Sequence, residues 1–356
     1  MGTTPVIKRT IEISREAMHL SVRDEQLLLL RKLEEELRPR LPARPANLAA
    51  SIPCEDLGVV MVDSRETTYS HHALAKLAEY GAALVVCGRD HHPIGMFLPI
   101  SGNTQLLARL DAQLSASKPT LKRLWTSIVA AKVTAQAAAL PPFGAFQPTR
   151  ARLIAMARRV RSGDPENIEA QAAGLYWPEV FRECGAVRQP FRRRPGEQAA
   201  DPPNNQLDYG YAAVRAAVAR ALVSAGLLPA LGIKHRGRSN PFCLADDLME
   251  PLRPLVDRRG RYLCERGELG LDRGAKAELL EVLTEEVICG GLKGPLLVTV
   301  SRYIASFVEA LEAGDPGRLV VPRPLGIDGR EEGPGCGGGG GGGGGGARAT
   351  DDEDVP

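Results

Sequence analysis

Tyr80-Gly-Ala-Ala-Leu-Val-Val-Cys87 is followed, beyond residues 93–100, by Asn103-Thr-Gln-Leu-Leu-Ala-Arg-Leu-Asp-Ala-Gln-Leu114. The first stretch holds a short continuous apolar run, the pattern of a strand covered on both faces. The second spaces its leucines as an amphipathic helix does. Upstream of this change the chain reads as strands. Residues 7–13 alternate in part, Leu20-Ser-Val22 and Leu27-Leu-Leu-Leu30 are short apolar segments, and Leu57-Gly-Val-Val-Met-Val62 is a second buried run. One short helix interrupts them, with Ala73, Leu74, Leu77 and Ala78 inward and Gly81 as its stop. Residues 38–51, rich in Arg, Pro and Ala, read as a loop, and residues 93–100 as the last strand. Downstream the pattern stays helical. Helices are expected from Pro119 to about Leu140, over 151–160, from Asp164-Pro165, and over 204–225, 273–288 and 298–313. The expected fold is α+β: a small β-rich domain over residues 1–100, a larger all-α domain over 101–325, and a tail from 326.

Within the helical region a single stretch concentrates chemistry: Gly232-Ile-Lys-His-Arg-Gly-Arg-Ser-Asn-Pro-Phe-Cys-Leu-Ala-Asp-Asp-Leu-Met-Glu-Pro-Leu-Arg-Pro-Leu-Val-Asp257. Asp247 and Glu250 are three residues apart and share one helical face, with Leu244, Leu248, Leu252 and Leu255 on the buried face. With His235 they offer oxygen and imidazole donors, while Lys234, Arg236, Arg238 and Arg253 suit a phosphate. A routine surface arrangement gives the same letters: Asp246 caps the helix, Glu250 pairs with Arg253, and His235 is a loop histidine. Glu169 stands near the start of the helix after Asp164, where an acid favours the helix dipole without further purpose. Arg188, Arg192, Arg193 and Arg194 cluster beside Phe191, either as solvated surface or as contacts along a phosphate backbone.

The chain has 356 residues and is 44% hydrophobic, enough for a sizeable core. It shows no run of membrane-spanning length, and no apolar leader is expected. Seven cysteines without a C-x-x-C pair suggest neither a disulfide framework nor a zinc finger, so a reducing cytoplasm is the expected location. The net charge of +2 hides an asymmetry. From residue 326 onward seven acids face two arginines, a net of −5, which leaves +7 on residues 1–325. The body is basic enough for a nucleic-acid partner. Ten consecutive glycines at 337–346 and the acidic end cannot bury enough surface to offset ordering entropy, so the tail is expected to be disordered.

Several of these segments together resemble a known family. Ile7-Lys-Arg-Thr-Ile-Glu-Ile-Ser14, Ile52-Pro-Cys-Glu-Asp-Leu-Gly58, the 80–87 stretch, Glu169 with Tyr176-Trp177, Leu207-Asp-Tyr-Gly-Tyr211 and the whole of 232–257 occur in this order. In that they resemble the integrase of CRISPR spacer acquisition, the first of the CRISPR-associated proteins, in its type II form. The resemblance covers roughly residues 6–325. It implies a dimerising β domain and a helical domain binding magnesium or manganese through Glu169, His235 and Glu250, with Asp247 in support. It also implies a metal-dependent DNA endonuclease and integrase that inserts new spacer DNA into a CRISPR array: a 3′-hydroxyl attacks a phosphodiester of the repeat. The implied partners are double-stranded DNA, a second copy of the chain, and the small second CRISPR-associated protein. Three features depart from the family pattern: Asp208 replaces an asparagine, Pro178 threatens the helix of Glu169, and the glycine tract is extra. Two other classes fit the residues: a non-catalytic DNA-binding scaffold, and a zinc hydrolase, for which one histidine is few.

Overall fold

The computed structural model describes residues 8–14, 16–31, 47–89, 91–100, 103–194 and 202–325. Its strand-rich region comprises β1 (Arg9–Ile13), β2 (Met18–Arg23), β3 (Gln26–Arg31), β4 (Leu48–Pro53), β5 (Leu57–Val62), β6 (Thr68–Tyr69), α1 (His71–Glu79), β7 (Ala83–Cys87) and β8 (Pro93–Phe97). Two four-stranded sheets result, with strand orders β1-β5-β7-β8 and β4-β3-β2-β6. Strands β1, β5 and β7 run parallel, and β8 returns antiparallel. Between β2 and β3 lie Asp24 and Glu25, both at positive φ, the two-residue turn whose twist matches that of paired strands. Ser70 caps α1 by accepting from the Ala73 amide.

Every residue of β5 is buried, because the two faces of its sheet belong to different cores. Val59 and Met61, with Val85 and Cys87 of β7, face the helices. Val60, Val62 and Leu84 face the other way, onto Leu20, Leu27 and Leu77. The continuous apolar runs at 57–62 and 82–87 follow from this two-sided burial.

Beyond residue 103 come α2 (Leu106–Ser115), α3 (Lys118–Ala139), α4 (Gln147–Ala157), α5 (Ile168–Val180), α6 (Asn204–Ser224), α7 (Cys243–Met249), α8 (Arg253–Glu265), α9 (Arg273–Leu280), β9 (Glu286–Cys289), β10 (Leu292–Pro295), α10 (Leu296–Glu312) and β11 (Arg323–Pro324). Helix α6 is the hub, buried along most of its length. A Cβ on Gly210 would stand 2.4 Å from Val256 Cγ1, so the missing side chain is what lets α8 lie this close. The molecule is thus mixed α+β, strands first and helices after, as the hydrophobic periods predict.

Four details differ from the expectation. Residues 48–53 are an edge strand on β3 rather than loop, with Pro53 at the strand end, where no ladder donor is lost. The helix expected over 273–288 stops at Leu280. Val287, Ile288 and Cys289 pair across a Gly290-Gly291 turn, both glycines at positive φ, into a three-stranded sheet of β10, β9 and β11. Pro178 does not stop α5, which runs on to Val180, because the proline falls in the last turn and forfeits one hydrogen bond there. That helix also begins at Ile168 rather than at Pro165. Among the described residues no helix is long and apolar enough to cross a membrane. The glycine-rich tail over 326–356 and residues 38–46 of the expected loop lie outside the described residues.

Candidate active site

The loop at 232–240 is held from beneath by one side chain. Asp247 is fully buried, and its Oδ2 accepts from the backbone amides of Ile233 (2.6 Å) and Lys234 (2.8 Å). Its Oδ1 accepts from the His235 amide (3.3 Å) and meets His235 Nδ1 at 2.5 Å. A carboxylate surrounded by donors can only accept, so Nδ1 carries the proton and Nε2 is the nitrogen left to bind something else. Trp125 of α3 stands edge-on against the imidazole, with centroids 5.9 Å apart at 87°. The hydrogen bond to Asp247 raises the pKa of His235; burial opposes this, and the charges of Asp247, Glu250 and Glu169 add to it. The loop admits no side chain at Gly232, where a Cβ would lie 2.1 Å from the His235 carbonyl oxygen.

Asp246 is not the cap of α7. It accepts from Arg215 Nε of α6 and from Asn240 Nδ2, each at 2.7 Å, and so fastens the far end of the loop. All of α7 is buried, both aspartates included, so the expected division into a polar and an apolar face does not hold. Each carboxylate is buried because it is satisfied by hydrogen bonds.

The two glutamates arrive from different elements. Glu169 is the second residue of α5. Its amide and that of Ile168 are capped by the Asp164 carboxylate at 3.0 and 2.8 Å, while Asn167 takes the left-handed conformation. Glu250 opens a short 3-10 turn between α7 and α8 and is 6% exposed. Both point at Lys132 of α3, whose Nζ lies 2.7 Å from Glu169 Oε1 and 2.5 Å from Glu250 Oε2. The second contact is close but badly directed, so Glu250 Oε2 has no hydrogen-bond partner. On its other side Glu250 Oε1 meets Arg253 Nε at 3.0 Å. Burial alone would raise the pKa of this carboxyl, but Arg253 and Lys132 outweigh it and bring it down to about 2.

Glu169, Glu250 and His235 therefore face one region, with Lys132 between the glutamates. Among the described residues no three His, Cys, Asp or Glu side chains stand close enough to share an ion. The donor chemistry nonetheless fits a hard divalent cation: two carboxylates already gather a cation, one carboxylate oxygen lacks a hydrogen bond, and one imidazole nitrogen is oriented and unused.

The basic residues divide. Lys234, Arg236 and Arg238 are exposed on the loop beside His235. Arg253 is not available to a phosphate, since it pairs with Glu250 and lies 4.8 Å from the centre of the Tyr211 ring. Arg193 is likewise engaged. It pairs with Asp208, bonds Asn204 Oδ1 at 3.0 Å and also lies over the Tyr211 ring. Asp208, the departure from the family pattern, thus anchors an arginine of the 188–194 cluster, leaving Arg192 and Arg194 exposed.

The sequence matches the family model "CRISPR associated protein Cas1" over residues 12–287. A relative in Neisseria meningitidis serogroup C, "CRISPR-associated endonuclease Cas1", is 37% identical over 277 residues, covering 77% of this chain and 88% of the relative. The chain belongs to the Cas1 family. Solved structures with the Cas1 fold include "Casposase bound to integration product", with TM-score 0.65 and 17% identity over 86% of this chain and 91% of that one. Another is a "Cas6-RT-Cas1–Cas2 complex", with TM-score 0.68 and 16% identity over 90% of this chain and 36% of the other.

Two features of this Cas1 site are absent from the sequence reading. Lys132 is one, although a lysine on a helix whose neighbours Ile128, Val129 and Val133 are all buried carries its own signal. The other is a lock behind the site: Tyr176 donates to Asp257 Oδ2 at 2.9 Å and Tyr211 to Oδ1, tying α5 and α6 to α8. Helical periodicity marks these tyrosines only as packing.

Proposed function

We propose that this chain is a divalent-metal-dependent DNA endonuclease and integrase that inserts spacer DNA into a CRISPR array by transesterification. The observation that carries the reading is the meeting of Glu169 and Glu250 around one cation, beside a histidine that Asp247 orients with Nε2 free. Glu169, His235 and Glu250 are the catalytic and metal-binding residues. Magnesium or manganese suits them, and a lone imidazole makes zinc the poorer match. When bound, the ion supplies positive charge at the phosphoryl oxygens and helps expose the nucleophile. The protein does the rest. Asp247 fixes the imidazole tautomer, Asp164 fixes the turn that presents Glu169, and Arg253 holds Glu250 in its carboxylate form. Exposed Lys234, Arg236 and Arg238 draw the phosphodiester backbone to the loop. A 3′-hydroxyl as nucleophile joins ends, and water in its place cuts.

The remaining elements of the proposal follow the family. Residues 1–100 form the dimerising domain and 101–325 the catalytic domain. The chain works in the cytoplasm as a homodimer with the small Cas2 protein, on double-stranded DNA. The test is to incubate the purified chain with a labelled fragment and a repeat-bearing plasmid, in magnesium, manganese, zinc or chelator. Joining is expected with the first two. His235→Ala should lose joining and cutting by orders of magnitude while DNA affinity, carried by phosphate contacts, changes only a few-fold. A His235→Ala protein that joins ends at the normal rate would leave a DNA-binding scaffold as the better description.

A further inference from the structure

Lys132 is out of place on chemical grounds. It sits on the buried side of α3, its side chain 14% exposed, and its ammonium touches two carboxylates that come from elements far apart in the sequence. Without a cation between them, those carboxylates would repel across a poorly hydrated gap. Arg253 already balances Glu250, and Lys132 balances Glu169, so the cluster of four is neutral as it stands. A divalent ion added to that neutral set would leave two uncompensated positive charges. One added in place of the ammonium leaves only one. The lysine hydrogen-bonds Glu169 Oε1 at 2.7 Å and meets Glu250 Oε2 as an ion pair at 2.5 Å, so both carboxylates already face the place an ion would take. A compact charge on a four-carbon stem can withdraw by rotamer changes, which a guanidinium clasping both carboxylates does less readily.

We propose that Lys132 is a built-in counter-ion: its ammonium occupies the place between Glu169 and Glu250 in the metal-free protein and is displaced when a divalent cation binds. This rests on the ligand set proposed above. The lysine both holds the glutamates together before loading and competes with the ion, so the apparent metal affinity is reduced by the fraction of time the ammonium is in place. Once displaced, it stays within reach of the same cleft as a cation next to the phosphodiester.

The test uses manganese alone, without DNA, on the full chain. Calorimetric titration and paramagnetic resonance report binding, and thermal melts with and without manganese report stability. Lys132→Met keeps the stem and removes the charge. It should lower the melting temperature of the metal-free protein, bind manganese about tenfold more tightly than the wild type, and gain more in melting temperature on loading. Lys132→Arg, which retains the charge and grips carboxylates in a fork, should bind manganese more weakly than the wild type. Equal or weaker manganese binding by Lys132→Met overturns the proposal, because a residue that merely positions the ligands weakens binding when removed. Should Lys132→Met not fold, unchanged or tighter binding by Lys132→Arg overturns it equally. Failure of the ligand set is distinguishable: Glu169→Gln and Glu250→Gln would then bind manganese as the wild type does.

Discussion

At the scale of single residues, the balance between burial and neighbouring donors and charges sets the character of the acids. Asp257 is the clearest case. Burial raises its pKa to about 6 despite the two tyrosine hydroxyls that bond it and the nearby Arg193 and Arg253. A carboxyl raised in the folded state binds its proton more tightly there than in the unfolded chain. Its ionisation therefore costs stability as pH climbs from the unfolded pKa near 4 to the folded value near 6. Asp257→Asn removes that titration. The stability of the variant relative to the wild type is expected to rise between pH 4 and pH 7 by on the order of 2 kcal/mol. Urea unfolding at several pH values measures it, and a flat difference across the window would show that Asp257 titrates normally. Asp247, by contrast, is buried under backbone amides that its carboxylate satisfies. It is legible in the sequence as an acid next to the site, but its task of turning the imidazole depends on a loop closing over it.

Elements place the site through their ends. Helix α5 would begin anywhere in 165–168 on composition alone. The Asp164 carboxylate, bonded to the amides of Ile168 and Glu169, fixes the start and with it the direction of the Glu169 side chain. Asp164→Ala should cost about 1–2 kcal/mol and speed amide exchange at residues 168 and 169, whereas Asp164→Asn keeps most of the cap. If exchange there is no faster in the alanine variant, the cap is not what orders the turn. The cap itself can be recognised in the sequence, though one turn too early. Asp164 bonds amides four and five positions ahead because Asp164 and Asn167 both take positive φ, a conformation that no hydrophobic period records.

Across the whole molecule, the β region and the helical region share a sheet rather than meet at a linker. Val59, Met61 and Val85 belong to the helical core, so a fragment ending at residue 100 would expose an apolar face. The junction is also bolted by charge: Lys276 of α9 pairs with Asp63, just after β5, and each is nearly inaccessible. His91 Nδ1 lies 2.9 Å from the same carboxylate. Removing one partner of a buried pair strands the other, so Lys276→Met should destabilise the full chain by about 3 kcal/mol. Adding Asp63→Asn to it should recover much of the loss. Chemical denaturation of the single and double variants decides this, and a single variant within about 0.5 kcal/mol of wild type would make the pair dispensable.

What the sequence determined by itself was local. The apolar runs at 57–62 and 82–87, the change of period near residue 103 and the glycines that end α1 and shape the loop at 232 are written in neighbouring residues. Backbone sterics and periodicity act over a few positions, so they can be read there. The tertiary structure decided which surfaces meet. Glu169 on α5 and Glu250 after α7 share a cation only because α3 packs against both and brings Lys132 to them. Residues 286–295 form a hairpin whose β9 strand is also paired on its other side by β11, from further along the chain. A lysine among alanines and valines reads as solvated until a second helix covers it. Burial is then what gives it partners, and burial is a property of the packed elements together.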